Sequence, residues 1–316
     1  MIIALAGGVG GAKLAQGLAA VLSPKDLKII VNTGDDFTHM GLFISPDIDT
    51  VTYTLAGLNN KELGWGLTGE TWYFMDALER LGGDTWFRLG DQDLATHIER
   101  TKRLKDQNLS QITADFCQRL GVKHPVIPMT DDSVQTVVET DIGTLPFQEY
   151  FVQHQCQPKF KSVRYEGIEK ARPHPEFLAA LADPELEAVI LCPSNPLLSL
   201  RPILGIPGVT NALAKCTAPI VAVSPFIGGK AVKGPAAKIM TELNLPITPA
   251  GLISLYDDLL EDGLLDGLVI DTADVDQTDK LERPVIHAAN TLMNSLEDSK
   301  RLAEQVLEFA AKVKRS

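Results

Sequence analysis

The chain has 316 residues, enough to bury a large core as one α/β domain or as a core with an inserted subdomain. Its 29 basic and 41 acidic residues give a formal net charge of -12, which argues against general nucleic-acid binding, because no surplus of positive charge is available for many phosphates. Four scattered cysteines (Cys117, Cys156, Cys192, Cys216) form no C-x-x-C pair, and no apolar run approaches the roughly 18–20 residues of a bilayer span. A cytoplasmic protein with reduced thiols and no membrane or nucleic-acid partner is the expectation.

In chain order, the first element is a buried strand, Ile2–Ala6, followed by a glycine loop and a helix over Ala12–Val21. A second strand spans Leu27–Asn32. Ser45 and Pro46 read as a helix cap and first helical residue. Three helices follow, over Glu70–Leu81, Asp91–Lys105 and Ser110–Leu120, two of them closed by Gly82 and Gly121. They read as a helical insertion at about 59–122. Val134–Thr140 and Leu145–Val152 alternate like a hairpin around "DIGT", whose Gly143 can take a positive φ. Ala188–Cys192, Ile220–Val223 and Leu268–Asp271 are short apolar runs, and Leu296–Val313 has helical spacing. Short β-rich runs between helices predict a single Rossmann-like α/β domain with a mostly parallel sheet, carrying the insertion and the hairpin.

The chemistry concentrates in loops, which in an open α/β sheet face one crevice beyond the carboxyl ends of the strands. "GGVGGAK" places Gly7, Gly8, Gly10, Gly11 and Lys13 where a helix N-terminus can meet a phosphate. It is neither a P-loop, since Ala12 and Leu14 flank Lys13, nor a full G-x-G-x-x-G, since Lys13 takes the third glycine's place. Each glycine costs about 0.5–1 kcal/mol of backbone entropy, so four in five residues point to a ligand. "NTGDDF" and "SPDIDT" bring Asp35, Asp36, Asp47 and Asp49 within 15 residues. These acids suit a hard cation, which takes one or two carboxylates plus phosphate and water. Helix-dipole compensation by Asp47 and Asp49, or a ribose contact by Asp35, are the alternatives. "PSNP" presents Ser194 and Asn195. "SPFIGGKAVKGPAAK" reads as a second phosphate cradle built from Gly228, Gly229, Lys230, Lys233 and Gly234. "WFRLGDQDLATH" carries Arg88, Asp91, Asp93 and His97, the last expected to be a packing or surface histidine.

Taken in order, "GGVGGAKL", "NTGDD", "SPDIDT", "GETW", "LGDQDLATH", "PSNP" and "SPFIGGKAVKGPAAK" resemble the 2-phospho-L-lactate transferase family of coenzyme F-420 biosynthesis, from Met1 to about His287. The resemblance implies a magnesium-dependent homodimer that moves a phospho-hydroxyacid group from a guanylyl diphosphate donor to the ribityl hydroxyl of the deazaflavin Fo, releasing GMP. The hydroxyacid is lactate, enolpyruvate or 3-phosphoglycerate. It implies Fo binding by Asp49 and Arg88, and the aromatic residues of "GETWYF" near the crevice add to that expectation. It further implies Mg²⁺ on Asp35 and Asp49, and nucleotide or phosphate contacts by the two glycine loops and "PSNP". Gln92 stands where the family commonly has arginine. A sister branch of nucleotide-sugar-binding regulators lacks the "LGDxDLATH" and "SPDxDT" stretches, and a dehydrogenase is disfavoured by Lys13.

Overall fold

The computed structural model describes residues 1–231, 234–260, 263–278 and 281–315. Seven strands form the central sheet: β1 (Ile2–Ala6), β2 (Leu27–Val31), β3 (Val126–Pro128), β4 (Ala188–Leu191), β5 (Ile220–Val223), β6 (Gly267–Asp271) and β7 (Val285–Ala289). All six pairings are parallel, in the order β7-β6-β5-β4-β1-β2-β3. The sheet is therefore fully parallel, and its order reverses between β1 and β4. β1 is buried on both faces, as its unbroken apolar run requires. Its alternate residues divide the core: Ile3 and Leu5 join one layer, while Ile2, Ala4 and Ala6 join the other. Residues 126–128 and 285–289 were not predicted as strands. One is only three residues long, and the other is half-exposed at the sheet edge.

Helix α1 (Gly8–Val21) follows β1 and packs on α7 (Leu296–Ala310). A Cβ on Gly17 would lie 2.1 Å from the Ser299 carbonyl oxygen, so this glycine sets how closely the two helices approach. Helix α2 (Pro46–Ala56) begins at the predicted proline. Ser45 stands at its N-cap position, but its hydroxyl donates to Asp36 at 2.7 Å instead of capping the helix. The insertion contains α3 (Tyr73–Arg80) and α4 (Asp93–Arg103) around a small cluster of Ile44, Met75, Leu89 and Leu94. α5 (Leu109–Arg119) instead packs into the main core through Leu109 and Cys117, as the crossover to β3. Glu70 accepts the Gln92 and Asp93 N–H groups at the start of α4, each at 2.8 Å. Asp91 in turn accepts those of Tyr73 and Phe74 at the start of α3. The two helix starts therefore cap each other across 20 residues of sequence.

The predicted hairpin forms between 135–140 and 143–146, with Gly143 at φ +127°. It is shorter than predicted because residues 149–153 turn into a π-helical segment. A third antiparallel strand, 160–166, completes this small sheet. Among the described residues no single helix is long and apolar enough to cross a membrane.

Candidate active site

The reversal of strand order opens a crevice beyond β1 and β4, as expected for a doubly wound sheet. It holds a cavity of about 730 Å³. Its floor is the glycine loop pressed against the 193–195 turn. A Cβ on Gly10 would sit 2.2 Å from the Pro193 carbonyl oxygen, and one on Gly11 would sit 2.4 Å from Ser194 Oγ. Contact between the loops thus requires these two glycines, whatever ligand the loop meets. Ser194 Oγ joins the loops by donating to the Gly7 carbonyl at 2.8 Å and accepting the Gly7 N–H at 3.1 Å. Asn195 Oδ1 accepts two backbone N–H groups at 3.0 and 3.1 Å. Its buried Nδ2 has no hydrogen-bond partner among the described residues, and Asn195 lines the cavity. Val9 and Gly10, in the first turn of α1, also line it. Helix geometry leaves their N–H groups without intrahelical acceptors. Lys13 reaches the cavity wall, where Nζ donates to the Met293 carbonyl at 2.7 Å.

The four acids separate into distinct environments. Asp47 faces the cavity, accepting the Gly8 N–H at 2.7 Å and Asn32 Nδ2 at 2.9 Å. Burial outweighs these bonds and pushes its pKa up to about 6. Asp35, also on the cavity, is held well above the usual carboxylate range by burial, then by the charges of Asp47 and Asp36. Its Oδ1 is buried without a hydrogen-bond partner. Burial likewise raises Asp36, which the Ser45 hydroxyl partly offsets. Asp49 turns away from the cavity. Both its oxygens are taken by the Arg100 guanidinium, Oδ2 at 2.9 Å. The reason is helical geometry: residues two apart point about 200° from each other, so Asp47 and Asp49 face opposite sides of α2. The structure thus brings Asp35 together with Asp47, whereas the sequence reading paired Asp35 with Asp49.

This pair fits a hard cation. Two buried carboxylates oppose each other's ionisation, and one of them, on a cavity large enough for phosphate and water, keeps a buried oxygen without a hydrogen-bond partner. No group of three or more His, Cys, Asp or Glu side chains suited to a metal occurs among the described residues, so further ligands would be water or substrate.

The second cradle divides. Gly228 and Gly229 (φ +57° and +69°) form the tight turn of a short hairpin, and Asp274 accepts their N–H groups at 3.0 and 3.2 Å. Neither they nor the exposed Lys230 line the cavity, whereas Gly234 and the residues opening α6 (Ala236–Glu242) do. Lys233 lies outside the described residues.

The wall opposite is apolar and was largely missed in the sequence. Trp65, Trp86 and Phe87 from the insertion face Phe147 and Phe151 from the small sheet's return. Trp86 is braced by His39, whose ring meets it edge-on at 4.9 Å. Arg88 lines the cavity with its guanidinium 4.5 Å from the Trp72 ring. Of the "GETWYF" aromatics, Trp72 supports Arg88 while Tyr73 and Phe74 face solvent. Gln92 is exposed and does not line the cavity; Nε2 donates to the Gly69 carbonyl at 2.9 Å. His97 is buried, as a packing histidine would be, but among charges: Nε2 lies 3.3 Å from Asp93 and Nδ1 3.8 Å from Asp49.

A solved structure of a upf0052 family member from Bacillus halodurans superposes with a TM-score of 0.63 over 97% of this chain and 98% of that one, at 15% identity, which supports the fold. The phosphoenolpyruvate transferase of Streptomyces griseus is 37% identical over 99% of both chains. The 2-phospho-L-lactate transferase of Methanopyrus kandleri is 39% identical over 96% of both. The family model described as 2-phospho-L-lactate transferase CofD matches residues 2–310. The floor of loops, the buried acids and the aromatic wall therefore form the cavity of a transferase of the kind that serves coenzyme F-420 biosynthesis, and the chain belongs to the CofD family.

Proposed function

We propose that the protein transfers the phospho-hydroxyacid half of a guanylyl diphosphate to the ribityl hydroxyl of Fo, as a transferase for substituted phosphate groups. The hydroxyl oxygen bonds to the phosphorus that bears the hydroxyacid. The bridging P–O bond to GMP breaks, GMP leaves with the electron pair, and the hydroxyl proton passes to a carboxylate or water. One observation carries this reading: a single cavity joins a floor of anion-facing donors and buried acids to an aromatic wall. The floor suits a diphosphate and the wall a flat ring.

Attack by an alcohol on a diphosphate needs mainly positioning and charge stabilisation. The N–H groups of Val9 and Gly10, with Asn195 Nδ2, are free to meet phosphoryl oxygens. Asp35 and Asp47 would hold Mg²⁺, which when bound supplies positive charge at the phosphoryl oxygens. Arg88 and Trp86 border the acceptor. Asp49, bound to Arg100, serves the site from behind rather than by contact. A homodimer in the cytoplasm completes the proposal.

The test is an assay with purified Fo, GTP and a partner guanylyltransferase, comparing phospholactate, phosphoenolpyruvate and 3-phosphoglycerate. GMP and a phosphodiester conjugate of Fo are expected with at least one of them. If none reacts and Fo fluorescence is unperturbed by the protein with Mg²⁺ present, the reading fails in favour of a nucleotide-binding regulator.

A further inference from the structure

Between α2 and α4 runs a seam that no part of the cavity uses directly. α2 contributes Asp49 and Tyr53, four residues apart, and α4 contributes Asp93, His97 and Arg100. Side chains at these spacings share one helix face, so two polar stripes meet. Tyr53 donates to Asp93 at 2.6 Å, His97 lies between Asp93 and Asp49 at 3.3 and 3.8 Å, and Arg100 grips both oxygens of Asp49. Arg100 is 1% exposed, yet it carries a full charge in the largest fully buried side chain among the described residues. Asp36 is close enough to act electrostatically on Arg100 as well.

Such a seam is an expensive way to join two helices. Burying an ion pair costs about as much as the pair returns, and well-packed apolar residues of similar volume hold helices together as well or better. Apolar surfaces, however, are non-directional. A forked guanidinium on a carboxylate defines one register. What is registered is specific. α2 carries Asp47 in its first turn, on the cavity floor. α4 starts five residues after Arg88, which with Trp86 and Phe87 belongs to the cavity wall. The start of α3, in the same insertion, is tied to the start of α4 through Glu70 and Asp91.

We infer that Asp49, Arg100 and His97 are positioning residues: their buried seam sets the distance between the acceptor wall carried by the insertion and the acid floor carried by the core. This rests on the transferase reading, in which each half binds its own substrate and only their spacing decides the rate. A misplacement of about 1 Å costs on the order of 10²-fold.

The experiment uses the full chain with Arg100→Lys, which keeps the charge but loses the planar fork, and with the double change Asp49→Leu/Arg100→Met, which replaces the pair by apolar groups. Three quantities are measured: kcat at saturating substrates, the Fo dissociation constant by fluorescence, and Mn²⁺ binding by paramagnetic resonance. Expected for both variants is a kcat at least tenfold lower, with Fo and Mn²⁺ affinities each within about threefold of the parent. A merely structural seam predicts otherwise: the double variant, once folded, turns over at the parental rate, and that result overturns the inference. Fo affinity falling in step with kcat also overturns it. If the double variant does not fold, Arg100→Lys decides by the same criteria. A parent chain that neither binds Fo nor turns over would overturn the transferase reading itself.

Discussion

Asp47 Oδ1 accepts the N–H of Gly8 at 2.7 Å, so the first turn of α2 is bonded to the first turn of α1 across 39 residues of sequence. Two helix N-termini and an acid thereby converge on one point of the cavity. The positive ends of the helix dipoles favour anions there. The carboxylate placed between them keeps its second oxygen on Asn32, at the end of β2. Site and scaffold share the same bonds.

Removal of the cavity-facing acids is the first test. Asp35→Asn and Asp47→Asn are each expected to lower kcat on the order of 10²–10³-fold and to raise the magnesium needed for half-maximal rate. Asp49→Asn should differ, since it strips a buried arginine of its partner. The expected cost is about 3–5 kcal/mol of stability, read by urea denaturation, with an unaltered magnesium requirement in the folded fraction.

Asp47 also sets a pH dependence. The folded chain without metal holds its proton up to about pH 6, against an ordinary value of 3.8, because of burial. The folded state therefore binds more protons than the unfolded one between these values. Stability from this group is complete below about pH 4 and is lost as pH rises through about 6, by up to about 3 kcal/mol. Asp35 pushes in the same direction. Denaturation midpoints of the metal-free chain should fall between about pH 4 and 6, and Asp47→Asn should flatten that decline. Added Mg²⁺ should oppose the decline, binding more tightly as the acids ionise.

Gly10 is tested by the smallest possible addition. The methyl group of Gly10→Ala would meet the Pro193 carbonyl oxygen at 2.2 Å, and two backbones must part to admit it. A loss of about 1–3 kcal/mol in thermal stability is expected, together with weaker binding of GMP. Full stability with normal GMP binding would show that the two loops separate freely.

Trp86→Ala should weaken Fo binding roughly 10- to 100-fold, if ring stacking here is worth the about 1–3 kcal/mol seen for nucleobases on aromatic side chains. Trp86→Phe should recover part of it. Fluorescence titration of Fo measures both, and GMP binding serves as the control that must not change.

Gln92→Arg changes an exposed position outside the cavity. Rates with each donor are expected to stay within about twofold of the parent, and stability within about 0.5 kcal/mol. A change of preferred donor would place this side chain on the substrate instead.

How much of this was legible in the sequence differs from segment to segment, for a consistent reason. "IIALA", "AVIL" and "IVAV" declare buried parallel strands, because a strand covered on both faces needs an unbroken apolar run. "SPDIDT" declares a helix start, and the Rossmann-like order follows from strands alternating with helices. Those properties are local and can be read from neighbours along the chain. "VIP" and "VIHAA" could not be read so, because one is too short and the other too exposed to carry a pattern. The site residues were decided by partners far away in sequence. Which acid of "SPDIDT" faces the cavity depends on Arg100 claiming Asp49 and Gly8 claiming Asp47. Whether "GG" cradles a phosphate depends on Asp274 already occupying its N–H groups. The glycines of "GGVGG" are explained by the backbone of Pro193 arriving from another strand. The sequence alone determined most of the elements, because propensity and periodicity act over a few residues. Only the tertiary structure decided the site, because hydrogen bonds and charges are satisfied through space, by whichever groups the fold brings within about 3 Å.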